Sequence, residues 1–287
     1  MRFNLRSFVF FVISVNILCS CGDGKPEEGA VVSDSTSSKD PHIDSNDLRV
    51  FTLPAPLQVA TLLRIEGVDY NERILIPSKK ANAIYASNYL RALNLGMYTI
   101  DLGYATVYDQ HQMALNYVKI MESLVQDLGI SSGISGQTVR RFENNIRKPD
   151  SLYHIILESY SQANEYFQTN KREELGMYIL SGSYIEGLYI ALNYNEIPAS
   201  KVLRNLIGQQ KLFLENIIEL LQYTEEKPET VDLLVKLMSI KEEFNAINVL
   251  YDDSGKGKIA VKCSVDRHQL TSLLKKVVEV RSKIINS

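Results

Sequence analysis

Tryptophan is absent and histidine scarce: the 287 residues include 16 tyrosines, nine phenylalanines and four histidines. His42, His111, His154 and His268 have no partner at metal-ligand spacing, and no HExxH, GxSxG or clustered Cys/His pattern occurs. No metal or other cofactor is therefore expected. Cysteine is limited to Cys19, Cys21 and Cys263; the first two fall to the N-terminal signal read below, and the one thiol left cannot make a multi-cysteine zinc site. A basic run or stripe is also missing, which argues against nucleic acid as a partner. The segment SGKGK at 254–258 lacks Walker spacing and a following Ser or Thr, and it reads as a solvated turn. The opening apolar stretch, from Ser7 to Leu18, is shorter than the roughly 20 residues that a bilayer span needs.

What is present begins with that stretch. Arg2 and Arg6 precede it, and Leu18-Cys19-Ser20-Cys21 follows, so residues 1–20 read as an export signal. The four residues resemble the lipobox of bacterial lipoproteins, in which cleavage precedes a cysteine that becomes acylated. Cys21 is the lipidation candidate, because Cys19 has an unsuitable residue, Asn16, three positions upstream. One thiol, Cys263, then remains as a small apolar residue.

Removing 1–20 takes away two arginines, leaving 29 basic and 34 acidic residues. Residues 22–47 contain seven of those acids and two lysines among Gly, Ser and Pro, which makes 21–47 a lipidated flexible acidic tether. Its Lys25-Pro-Glu-Glu resembles the acidic surface-export signals of Bacteroidota lipoproteins. Residues 48–287 are balanced in charge and form one helical domain, with halves at roughly 48–148 and 149–287.

Helical periodicity dominates that domain. Met113, Tyr117, Ile120, Leu124 and Leu128 make one apolar stripe; Leu233, Leu237, Ile240, Phe244 and Ile247 make another. A third runs through Leu270, Leu273, Val277, Val280 and Ile284. Pro149, Pro198 and Pro228 stand where helices begin, and Gly129 where one ends. Helices are expected near 55–66, 79–108, 110–128, 137–147, 150–169, 172–194, 199–223, 229–249 and 266–285. Extended pieces are expected only around Arg49–Leu53, Arg73–Ile76 and Lys258–Lys262. The fold class is thus all-α, a multi-helix bundle of about nine helices with two pseudo-repeated halves.

The pseudo-repeat rests on LGMY, at 95–98 and again at 175–178, with Tyr104 matching Tyr184 at the same offset. Both surrounding segments are apolar on every side, so both are expected as central helices buried side by side. Gly96 and Gly103 share a face, as do Gly176 and Ser183, and such faces admit a neighbouring helix or an aromatic ring.

The span from 50 to 195, most specifically Asn94–Tyr98, Asp101, Tyr104 and Leu128–Ile130, resembles helical outer-membrane lipoproteins of Bacteroidota with an Asn-Leu-Gly-x-Tyr core. That family has no settled activity. The resemblance implies a helical fold and a place in the cell envelope, periplasmic or surface-facing, but no chemistry.

Asp101 and Glu186 are the only acids or bases, tyrosines aside, in 92–108 and 175–194, and they mark a candidate polar-ligand or cation site with Tyr98, Tyr104 and Tyr184. The plain alternative is that each carboxyl is satisfied inside the fold and the tyrosines are core. In the repeat alignment the two acids are not equivalent, since Asp101 matches Ser181 and Glu186 matches Thr106. Two functions follow. The first is a non-enzymatic, lipid-anchored binding or scaffold protein whose partners are the membrane and an envelope protein or peptide. The second is a small-ligand receptor or enzyme built on the Asp101/Glu186 interior.

Overall fold

The structure is a computed structural model that describes residues 56–78, 85–131, 136–194, 199–224, 227–253 and 259–287. The signal segment, Cys21, the acidic tether, the extended piece at 49–53 and the turn at 254–258 lie outside the described residues. Everything described falls within one compact unit, Val50–Ser287.

The described residues form an all-α bundle of nine helices with one small hairpin. The helices are α1 (Pro56–Ile65), α2 (Asn88–Val107), α3 (His111–Asp127), α4 (Gly136–Asn145), α5 (Pro149–Thr169), α6 (Glu173–Leu192), α7 (Lys201–Gln222), α8 (Pro228–Asn245) and α9 (Arg267–Ile285). Strands β1 (Asn248–Asp253) and β2 (Ile259–Ser264) pair antiparallel, with Val249 opposite Cys263.

Local signals set most helix ends. Pro149 and Pro228 occupy the first turns of α5 and α8, where a missing N–H costs nothing. Ser87 caps α2 by accepting from the Leu90 N–H at 3.2 Å, so that helix starts at Asn88, later than the periodicity suggests. Asp266 and Gln269 cap α9 reciprocally. Gly129, at φ 65°, closes α3, while Asp109 (φ 59°) and Lys171 (φ 54°) close α2 and α5 in the same left-handed conformation.

Two expectations need correction. The piece at Arg73–Ile76 is not extended throughout: Glu72–Ile74 form a 3-10 turn capped by the Asn71 side chain, and the backbone is extended at Leu75 after it. Helix α8 stops at Asn245 rather than running to 249, because Asn248 and Val249 pair with β2 instead. The hairpin then presses on α7 at Gly208, where a Cβ would lie 2.8 Å from Val261 Cγ1 and 2.9 Å from Cys263 Cβ. Cys263 is buried there, as a small apolar residue would be.

Helices α2 and α6 form the centre. α3 packs on α2; α1 touches α2, α6 and α7; α9 lies across α6 and α2; and α7 and α8 extend the bundle. Helix α6 is long and apolar enough to cross a bilayer, yet 89% of its apolar window is inside the fold, so it serves as a core helix. Burying each of its Leu and Ile side chains contributes about 1.5–3 kcal/mol.

The two central helices run parallel: Tyr89 meets Tyr178, Gly96 meets Ser183, and Tyr104 meets Tyr194. Backbone touches backbone. A Cβ on Gly96 would lie 1.9 Å from the Ile179 carbonyl oxygen, and one on Gly182 2.0 Å from that of Leu93. Ser183 Oγ donates to the Gly96 carbonyl at 3.0 Å. Contacting residues are 83 to 90 positions apart, whereas LGMY recurs at a spacing of 80, so the repeated residues do not face each other. Gly176 accordingly packs against the Phe167 ring, 3.1 Å from its would-be Cβ, and Gly182 takes the place opposite α2.

Candidate functional site

The close crossing sets the level of the two acids. Asp101 lies beyond Gly96 on α2, and Glu186 one turn beyond Gly182 on α6, so parallel helices carry both side chains to the same depth. Both residues are 0% exposed. They are close enough for the charge of Glu186 to favour the protonated form of Asp101.

Each acid also has a partner from elsewhere in the chain. Arg281 on α9 reaches in and grips Glu186 with two bonds, Nε to Oε2 and Nη2 to Oε1, both 2.6 Å. This planar fork is the strong form of a carboxylate contact. Arg281 Nη2 also donates to the Ile74 carbonyl at 3.2 Å, and its guanidinium sits 4.1 Å over the Tyr189 ring. Asp101 Oδ2 accepts the Ile76 N–H at 2.9 Å, while the Ile76 carbonyl accepts from Tyr117 OH at 2.8 Å. The 72–76 segment is thereby tied to α2, α3 and α9 at once. Asp101 Oδ1 is buried with no donor facing it.

The electrostatics follow from this enclosure. Burial raises the Asp101 pKa well above the ordinary carboxyl range, and the neighbouring Glu186 charge adds to the rise; the Ile76 N–H and Arg281 oppose it without cancelling it. Burial disfavours the Arg281 charge, but Glu186 outweighs burial and Arg281 stays cationic. Tyr98 and Tyr117 are both pushed up, first by burial, with Asp101 and Glu186 adding to it. Every phenol at the cluster is therefore a neutral donor at neutral pH.

Of the residues singled out in the sequence, Asp101, Glu186 and Tyr98 come together. Tyr98 packs its ring 5.8 Å from Tyr117, and its hydroxyl is 3.4 Å from that of Tyr85. Tyr104 lies one turn further along α2 in a separate stack. Its hydroxyl bonds that of Tyr194 at 2.8 Å and accepts the Asn71 N–H at 3.0 Å, and its ring lies 5.4 Å from Tyr70 and 4.7 Å from Tyr108. Tyr184 points elsewhere, donating to the Gln210 carbonyl on α7 at 3.1 Å. Burial raises it most, then Glu215 and Tyr251, which belong to α7 and the hairpin.

Arg281, Tyr117 and the Ile76 peptide were not nominated by sequence reasoning. The one signal for Arg281 was its place beside the buried stripe of α9, next to Val280. A carboxylate in an otherwise uncharged stretch of a central helix also demands a cation from outside that stretch, but nothing in the sequence says which. Among the described residues, no group of three or more His, Cys, Asp or Glu side chains is arranged to hold a metal ion.

No protein-family model, curated protein or solved structure matches this chain.

Proposed function

We propose that this protein is a non-enzymatic, lipid-anchored binding or scaffold protein of the cell envelope, of the helical outer-membrane lipoprotein type that its sequence resembles. The observation that carries the non-enzymatic part is the closure of the polar interior. Asp101 and Glu186 are 0% exposed, and the charge of Glu186 is spent on Arg281. A receptor or enzyme built on these acids needs at least one of them open to solvent-borne ligand. The anchored part rests on the lipobox-like run ending in Cys21, followed by a tether able to hold the helical domain away from a membrane. Acylation with more than one chain makes such an anchor stable, at about 0.8 kcal/mol per buried CH₂.

Two measurements test this reading. Cys21→Ser should abolish incorporation of labelled fatty acid and leave the chain unprocessed or released from the membrane fraction; a variant still acylated and still sedimenting with membranes overturns the anchor. Thermal-shift screening against sugars, peptides and divalent ions should leave the melting temperature unmoved by small ligands. A small molecule that raises it in the wild type but not in Tyr98→Phe would transfer the protein to the receptor reading.

A further inference from the structure

We infer that Asp101 and Glu186 share a single proton, carried on Asp101 and donated to Glu186, and that this proton locks α2, α6 and α9 around Arg281.

Charge and geometry both require it. Two carboxyl groups and one guanidinium occupy an interior where both acids are 0% exposed. With both acids ionised, the cluster carries a net negative charge in a medium of low dielectric, which costs several kcal/mol. With one proton bound, it is neutral. The position of the proton follows from the bonds already made. Both Glu186 oxygens receive Arg281, so Glu186 is the fixed anion. Asp101 uses only Oδ2, for the Ile76 N–H, and its Oδ1 is buried with no donor facing it, beside the charge of Glu186. Two ionised carboxyls enclosed together repel; a proton on Oδ1 removes that repulsion and supplies an O–H donor for Glu186.

The charged and titratable groups facing Asp101 are Glu186 and Tyr189 from α6, Arg281 from α9, Tyr117 from α3, Tyr98 from its own helix and Tyr70 ahead of the 3-10 turn. The four tyrosines all have raised pKa values, mainly through burial, so none of them changes charge below the alkaline range.

The folded chain keeps a proton that the unfolded chain releases above about pH 3.9. The stabilisation is therefore complete below that pH and is lost as pH rises toward the raised pKa of Asp101. Each pH unit within that window lowers the folding constant tenfold, about 1.4 kcal/mol. The device is a proton-dependent pin whose loosening frees the contacts of the 72–76 segment together with α9, whatever the protein binds.

The test is proton release on unfolding of the full chain near neutral pH, compared between wild type and Asp101→Asn. The amide keeps the shape, accepts the Ile76 N–H and supplies Glu186 with an N–H in place of the acid proton. Wild type should release one more proton per molecule than the variant, and its unfolding constant should rise with pH by one extra power of ten per unit. Equal proton release and parallel pH profiles would overturn the inference. Should the variant not fold, ¹³C-aspartate-labelled wild type decides by infrared spectroscopy. A carboxylic-acid C=O band at neutral pH that converts to carboxylate on denaturation supports the shared proton, and its absence refutes it.

Discussion

Replacing Gly182 by alanine should damage this protein far more than the addition of one methyl group suggests, and the neighbouring Gly187 supplies the control. An ideal Cβ at Gly182 lies 2.0 Å from the Leu93 carbonyl oxygen, and one at Gly96 1.9 Å from that of Ile179. A carbon beside a carbonyl oxygen normally sits about 3.3–3.6 Å away. The obstacle is helix backbone, which has no rotamer to change, so α2 and α6 must move apart by more than about 1 Å. Overpacking of this kind costs about 1–3 kcal/mol or more, and separation also strains the Ser183–Gly96 bond, which contributes about 1 kcal/mol. Against this, alanine is favoured over glycine in a helix by about 1 kcal/mol. The net expectation for Gly182→Ala or Gly96→Ala is a loss of about 1–3 kcal/mol, which for a domain of this size lowers Tm by about 2–12 °C. At Gly187 the nearest atom, Ile100 Cδ1, is 3.9 Å from the would-be Cβ, an ordinary contact. Gly187→Ala should therefore keep the propensity gain and raise Tm by up to about 2–4 °C. Denaturant unfolding of the three variants reads the effect directly. If Gly182→Ala is as stable as Gly187→Ala, the backbone contact between the central helices is wrong.

Other substitutions probe the remaining contacts. Arg281→Met removes the cation from two buried carboxyls and should cost about 3–5 kcal/mol. Combining it with Glu186→Gln should recover part of that loss, and strictly additive losses in a double-mutant cycle would show that the pair is not coupled. Lys171 holds φ 54° without the freedom of glycine. Lys171→Gly should therefore stabilise by about 0.5–1 kcal/mol, the left-handed penalty of about 1–2 kcal/mol less the greater entropy of glycine in the unfolded chain. A lowered unfolding midpoint would show that the lysine side chain matters more than its backbone conformation.

Much of what is encoded within one or two turns was legible in the sequence, although the 3-10 turn at Glu72–Ile74 was not. Pro149, Pro228 and Gly129 mark helix ends by their own backbone chemistry, and the stripes of α3, α8 and α9 fix which sides are buried. The hairpin was half hidden for the same reason. Phe244 and Ile247 continue the spacing of α8, and only pairing of β1 with β2, followed by packing of Cys263 and Val261 on Gly208, pulls the chain out of the helix. Tertiary contact overrode a local pattern that was compatible with both outcomes.

The site divides along the same line. That Asp101 and Glu186 lie inside could be read from their isolation on apolar helices, because the surrounding residues leave no polar face for them to turn toward. Their meeting could not. It depends on a parallel crossing in which Gly182, rather than the repeated Gly176, sits opposite α2, and the sequence favours neither glycine. Arg281 was further out of reach, since it pairs with Glu186 across 95 positions. An arginine beside an apolar stripe is ordinarily a solvated flank with its stem on the core. It becomes an interior cation only because two helices elsewhere deliver more negative charge than burial allows. The requirement for a counter-charge is thus a property of α2 and α6, while the residue that meets it belongs to α9. Two acids and one cation still leave one charge too many, and a proton on Asp101 is the smallest group that removes it.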